Sequence, residues 1–327
     1  MSSSTARSHR SLASWLTVLL AALVFVTAQV EPVAAKPDPE QEKINTYVEL
    51  LNKWAPIVFK QFDSYRDKID LEAGPNCAAL KTEPRLSRTS ADVVKSLEKY
   101  VKATKAKPKL EVDAAVLRMV DAIIAQVEPS TEASEYYFQR TFEDDDCKRG
   151  KELHPVLVAN WKQFIAAERE LRAFIVAYND KLAVESIAAT KKKYGTKFRF
   201  HFEQLLLDGK ALVREVDSQA AQARPDVAAV RARVETYAAT LEAVETLYAD
   251  AKGDKKLHED LRRGGYELFL WRCKSVASSS KALVELLDKP ASKNTQQQLE
   301  RKYNEVFRVY NDMIGAANKT RFSNRVK

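Results

Sequence analysis

The chain has 327 residues, 45% hydrophobic and 30% charged, with a formal net charge of +8, which is long enough for one large domain or two smaller ones. Only eight residues are glycine, about a third of the usual share, while alanine, leucine, glutamate, lysine and arginine abound. That balance suits helices, where an interior glycine costs about 1 kcal/mol, and it argues against glycine-rich phosphate loops, nucleotide-binding folds and β-rich architectures.

In chain order, the first segment reads as an address. Arg7, His9 and Arg10 form a positive stretch, and Trp15 to Val26 (WLTVLLAALVFV) is an apolar run, too short for a comfortable membrane span but typical of a secretory signal. Small-residue exits follow at Val26 to Ala28 and at Val33 to Ala35. Cleavage is expected after Ala35, where the polar KPDPEQEK begins; cleavage after Ala28 and a retained anchor are the alternatives. Residues 1–35 are therefore read as a signal peptide and 36–327 as an all-helical domain, placed in the periplasm or secreted. No cysteine follows the apolar run to carry a lipid, and no later run approaches membrane length, so no transmembrane span is expected after signal removal.

Helical seams with steps of three and four then recur. The first runs from Ile44 through Tyr47, Leu51, Trp54, Val58, Phe62 and Tyr65 to Ile69, with Pro56 predicting a kink or break. The Gly-Pro and second proline of EAGPNCAALKTEPRLSRTS (72–90) predict a loop, and Ser90 is placed to cap a helix reaching about Lys105. Beyond Pro108 a helix is predicted over 111–126, and Pro129 with Ser130 and Thr131 is read as opening another. Trp161, Phe164, Glu168, Leu171, Ile175, Tyr178 and Leu182 form the next seam, which Gly195 should stop. FRFHF (198–202) alternates like a strand, yet Phe198, Phe202 and Leu205 continue a helical stripe, so helix is expected. Pro225 and Asp226 restart a helix whose seam is Val227, Val230, Val234, Tyr237, Leu241, Val244 and Tyr248. Two more seams follow, Tyr266 to Leu287 and Leu299 to Ala317, separated by DKPASKN. The expected architecture is all-α, an elongated antiparallel bundle of about eight or nine helices, with the break near 223–226 permitting two sub-bundles.

The stretch EYYFQRTFEDDDCKRGKELHP (135–155) is the most chemical in the chain. Four contiguous carboxylates, Glu143 to Asp146, lack the ligand spacing and the turn glycine of a calcium loop. They suit a helix start instead, with Asp145 or Asp146 as cap and the others favoured by the helix dipole. His154, His201 and His258 form no metal-ligand spacing, and no nucleophile sits beside a base in sequence. No catalytic, cofactor or metal residues are assigned, and an enzyme is not expected. Of three cysteines, Cys77 and Cys147 fall in loops and Cys273 on a seam, so in an oxidising compartment a Cys77–Cys147 disulfide is expected. The basic runs KKKYGTK (191–197) and KTRFSNRVK (319–327) read mainly as solvated helix ends, with contact to anionic lipid or cell-wall polymer as the alternative. Nucleic acid is not expected, because no aromatic-basic binding motif is present.

Three segments, INTYVELLNKW (44–54), EYYFQRTFEDDDCKRGKELHPVL (135–157) and LERKYNEVFRVYNDMI (299–314), resemble the YiiG-like family of bacterial envelope proteins. The middle one is the most specific, through Tyr136, Tyr137, Asp145, Asp146 and the run ending at His154. The resemblance spans nearly all of the mature chain, roughly Ile44 to Ile314. It implies an exported helical domain of unassigned role and brings no catalytic residues. Members are often lipoproteins, and the missing lipid-attachment cysteine sets this chain apart. The expectation is a non-enzymatic interaction or structural module meeting an envelope protein or an anionic envelope polymer. The alternative is a periplasmic receptor holding a small ligand between helices.

Overall fold

A computed structural model describes residues 38–86, 92–220, 222, 224–290, 292–323 and 326. The signal segment, both cleavage exits and Ser90 lie outside the described residues. Among the described residues there are nine α-helices and no strand. They are α1 (Pro39–Arg66), α2 (Asp92–Lys105), α3 (Asp113–Phe138), α4 (Lys148–Tyr194), α5 (Phe198–Ala220), α6 (Val227–Ala251), α7 (Lys255–Arg263), α8 (Tyr266–Leu287) and α9 (Lys293–Ala317). Phe198 to Phe202 is the first turn of α5, as its stripe requires.

The helices form two compact units, one ending at Tyr178 and the other beginning at Asn179, so the division falls inside α4. This corrects the expected division near 223–226. The loop there is a hairpin turn: α5 and α6 on either side of it pack against each other within one unit.

In the N-terminal unit, α1, α2, α3 and the first part of α4 enclose one core whose largest buried side chains include Tyr47, Tyr65, Tyr100, Tyr137, Trp161 and Phe164. As α1 advances its partners in α4 recede, from Gln41 with Tyr178 through Phe59 with Phe164 to Tyr65 with His154, so α1 and α4 run antiparallel. Asp38 caps α1 through the Glu40 amide, and Pro39 occupies the first turn, where its missing N–H costs nothing.

Three prolines lie inside helices, at two of which, Pro56 and Pro129, a kink, break or start was expected. Pro56 does not end α1, Pro129 does not open a helix within α3, and Pro155 sits one turn and more into α4. For Pro129 the reason is visible. A proline leaves the carbonyl four residues earlier without its helical donor, and that carbonyl, on Ala125, accepts from Asn160 Nδ2 of α4 at 3.0 Å. Thr131 does not cap; its hydroxyl donates back to the Val127 carbonyl.

In the C-terminal unit, α5, α6, α8 and α9 surround a second core centred on Leu205, Val213, Tyr237, Phe269, Cys273 and Met313. Arg231 pairs with Asp288, Tyr237 reaches Cys273, and Ser279 meets Glu305 while Arg272 meets Asp312. These pairings make α6–α8 and α8–α9 antiparallel, the order that short loops favour. Gly195, at φ +73, ends α4 by supplying a left-handed residue, and Asp226, Asp254 and Ser292 cap α6, α7 and α9.

Candidate functional site

The turn between α3 and α4, with the helix ends that flank it, holds the chemical residues of the 135–155 stretch, and it is built as a fastening. Asp145 is its centre. One carboxylate oxygen accepts the Tyr136 hydroxyl at 2.7 Å and the other accepts the Arg149 amide at 2.9 Å. The Tyr136 hydroxyl, with the amides of Arg149, Cys147 and Lys148, holds the Asp145 carboxyl below its usual range. Glu143 turns the other way, to Arg140, which also reaches Glu83 in the preceding loop. Arg149 forks onto Glu132 and Glu152. Glu143 and Asp145 are thus committed to different partners. Among the described residues no group of three or more His, Cys, Asp or Glu side chains is placed to share a metal ion.

A disulfide joins Cys147, buried at the start of α4, to Cys77 in a short 3-10 turn, with Cα atoms 5.6 Å apart. That distance is ordinary for a bridge. Gly150 is the third residue of α4. A Cβ there would lie 2.9 Å from the Tyr137 hydroxyl and 3.1 Å from the Tyr136 ring. Gly150→Ala is expected to destabilise the protein by about 1–3 kcal/mol through overpacking, although alanine favours a helix by about 1 kcal/mol; urea unfolding measures it.

His154 lies beneath this turn. Its Nδ1 is 2.9 Å from the Tyr65 hydroxyl, and the two rings stack with centroids 5.8 Å apart. Burial lowers its pKa below the ordinary value, outweighing the Leu71 backbone and the Asp70 charge, both of which raise it. The unfolded chain therefore binds this proton more readily. The stabilisation is complete above about pH 6.5 and is lost as pH falls below that value. His154→Gln is expected to flatten the fall in melting temperature between about pH 7 and pH 5.5, a slope read from melts across that window. His201, also lowered by burial, contributes to the fall with the same sign.

The other predicted residues stay apart. His154 belongs to the N-terminal unit and His201 and His258 to the C-terminal one. His258 lies against the Tyr248 ring. Cys273 is buried and free, its thiol pushed up to about 12 by burial, the condition of an inert core cysteine. Titratable groups that sequence reasoning did not single out occur as buried pairs. Lys43 meets Asp113 at 2.8 Å, and Arg199 meets Glu203 at 3.1 Å. Lys210 and Arg214 share Asp180. The single sequence signal of this kind was Glu168 on an otherwise apolar seam; it is buried and paired with Arg172. An open groove runs between α6 and α8, lined by Leu241, Lys274, Ala277, Lys281 and Glu285.

Residues 38–319 match a family model described as "Protein of unknown function (DUF3829)". No curated protein and no solved structure matches the chain. The matched span takes in helices of both units, and among the described residues no helix is long and apolar enough to cross a membrane.

Proposed function

We propose, starting from the fact that this chain belongs to the DUF3829 family of proteins of unknown function, that it is an exported, non-enzymatic module of the bacterial cell envelope, YiiG-like in kind, which works by contact through its helical surfaces. The observation that carries this reading is the Cys77–Cys147 bridge, because structural disulfides persist in oxidising compartments and are rare in the cytosol. The secretory pattern of residues 7–35 supports it independently. The non-enzymatic part is supported by how the titratable groups are used. Lys43, Arg199 and Glu203 are buried and taken up in ion pairs, Lys43 with the part-buried Asp113 and Arg199 with Glu203, and Asp145 in fastening a turn.

Thiol trapping in acid-quenched cells tests export. A maleimide is expected to label one cysteine, Cys273, in the denatured unreduced chain and all three after reduction. Three reactive thiols without reductant would mean a reducing compartment and overturn the reading. N-terminal sequencing of the same material is expected to begin at Lys36. A start at Gln29 would mark the earlier exit, and an intact Met1 on membranes a retained anchor.

A further inference from the structure

One end of the C-terminal unit concentrates nearly all of the molecule's excess positive charge. Tyr266 at the start of α8 packs on Phe198 and donates to its carbonyl at 3.3 Å, and the Arg321 amide donates to the Gly264 carbonyl at 2.8 Å. These contacts bring together the α4–α5 turn, α7 and the segment after α9. Over 189–203, 252–267 and 318–323 the sequence holds twelve Lys and Arg against five Asp and Glu, in a chain whose whole formal charge is +8.

The charge in the turn is uncompensated. Lys191, Lys192, Lys193 and Lys197 are exposed and make no ion pair among the described residues. No carboxylate lies in sequence between Glu185 and Glu203. Glu203 itself is buried and faces inward, to Arg199, Ser186 and Thr190. The lysines sit over aromatic rings that are only half-buried: Lys191 over Phe200 and Lys193 over Tyr194.

The first two turns of α8 add exposed apolar surface. Leu268 and Trp271 are 47% and 55% exposed and three residues apart on one helix face. Trp271 has Arg272 over its ring at 4.4 Å. The two other tryptophans in the described residues, Trp54 and Trp161, are buried.

We propose that this end of the C-terminal unit docks on a bilayer surface rich in anionic phospholipid. Each lysine near such a surface strengthens binding about fivefold. Tryptophan suits the headgroup level, where one edge is apolar and the other wet. A soluble polyanion would satisfy the lysines but would leave Leu268 and Trp271 without a partner. The proposal deepens the envelope reading by naming the surface contacted, yet its test does not depend on export.

Purified protein is mixed with vesicles of phosphatidylglycerol and phosphatidylcholine, or of phosphatidylcholine alone, and binding is measured by sedimentation and tryptophan emission. Binding is expected only to the anionic vesicles, weakening steeply as salt rises from about 0.1 M to about 1 M. The combined Lys191→Gln, Lys192→Gln, Lys193→Gln and Lys197→Gln protein is expected to partition several hundredfold less. The emission should shift to the blue on binding, and Trp271→Phe should remove that shift. Every protein compared begins at Lys36, ahead of the first helix, so neither the apolar N-terminal run nor Trp15 contributes to binding or emission. Equal binding to both vesicle types, or an unchanged lysine variant with native circular dichroism, would overturn the proposal. Binding that polyphosphate competes away, with no Trp271 shift, would replace the membrane by a soluble polyanion. If vesicle binding holds while thiol trapping shows a reduced chain, the docking site stands and the envelope reading falls.

Discussion

Replacing Cys77 with serine is expected to lower the stability of the N-terminal unit by about 4 kcal/mol. The bridge it removes spans a sequence separation of 70 residues. In the chain-entropy description, closing a loop of that length removes freedom from the unfolded ensemble, and the native fold gains accordingly. Cys77 is the better position to change because it is only partly buried, whereas Cys147 is in the core, and a serine there would bury an extra hydroxyl. Trp54 and Trp161 are buried in this unit, so urea unfolding followed by their emission reports on it directly. The midpoint should fall in the variant, and reductant should bring the parent protein down to the same midpoint. A midpoint indifferent to both changes would show that Asp145, Tyr136 and Arg149 fasten the turn without help from the bridge.

The contrast between that turn and the rest of the fold shows what a sequence discloses. Helix faces were legible because burial repeats along them: Val230, Val234, Tyr237, Leu241 and Val244 are all buried, in the order their spacing predicts. Caps at Asp226 and Ser292 were legible for the same local reason, a short oxygen-bearing side chain just before a helix. Pro129 was misleading because its cost is settled elsewhere. The Ala125 carbonyl is satisfied by Asn160, 35 residues downstream on another helix, and no local pattern announces such a partner. The division of the chain was misplaced for a related reason. A break in the helical pattern near 223–226 looks like a boundary, but α5 and α6 fold back on each other across it, while the true boundary lies in unbroken helix at Tyr178. The basic turn at 191–197 was visible as a charge run. That Glu203 faces inward and leaves the run uncompensated is a property of side-chain direction that spacing alone does not give.

Lys43→Met is expected to cost about 3 kcal/mol, the lower end of the range for removing one member of a buried ion pair. Lys43 is 4% exposed, and its ammonium donates in three directions. It reaches the Asp113 carboxylate at 2.8 Å, the Pro108 carbonyl at 2.8 Å and the Ala106 carbonyl at 3.0 Å. One side chain of α1 thereby satisfies the carbonyls of the α2–α3 connection and the first acid of α3. Methionine fills similar volume, so the loss is electrostatic and not a cavity. Asp113 is left part-buried and without its cation but retains the Tyr47 hydroxyl at 2.5 Å and the Leu110 amide at 3.1 Å, which keeps the cost from the upper end. Those remaining donors also predict the outcome of the double substitution. Asp113→Asn in the Lys43→Met background removes the stranded charge, so the pair together should cost less than the sum of the single changes by about 1 kcal/mol or more. A denaturant midpoint for each member of the cycle gives the coupling. Strict additivity would mean that Lys43 acts on the Ala106 and Pro108 carbonyls alone and that its contact with Asp113 contributes nothing to the fold.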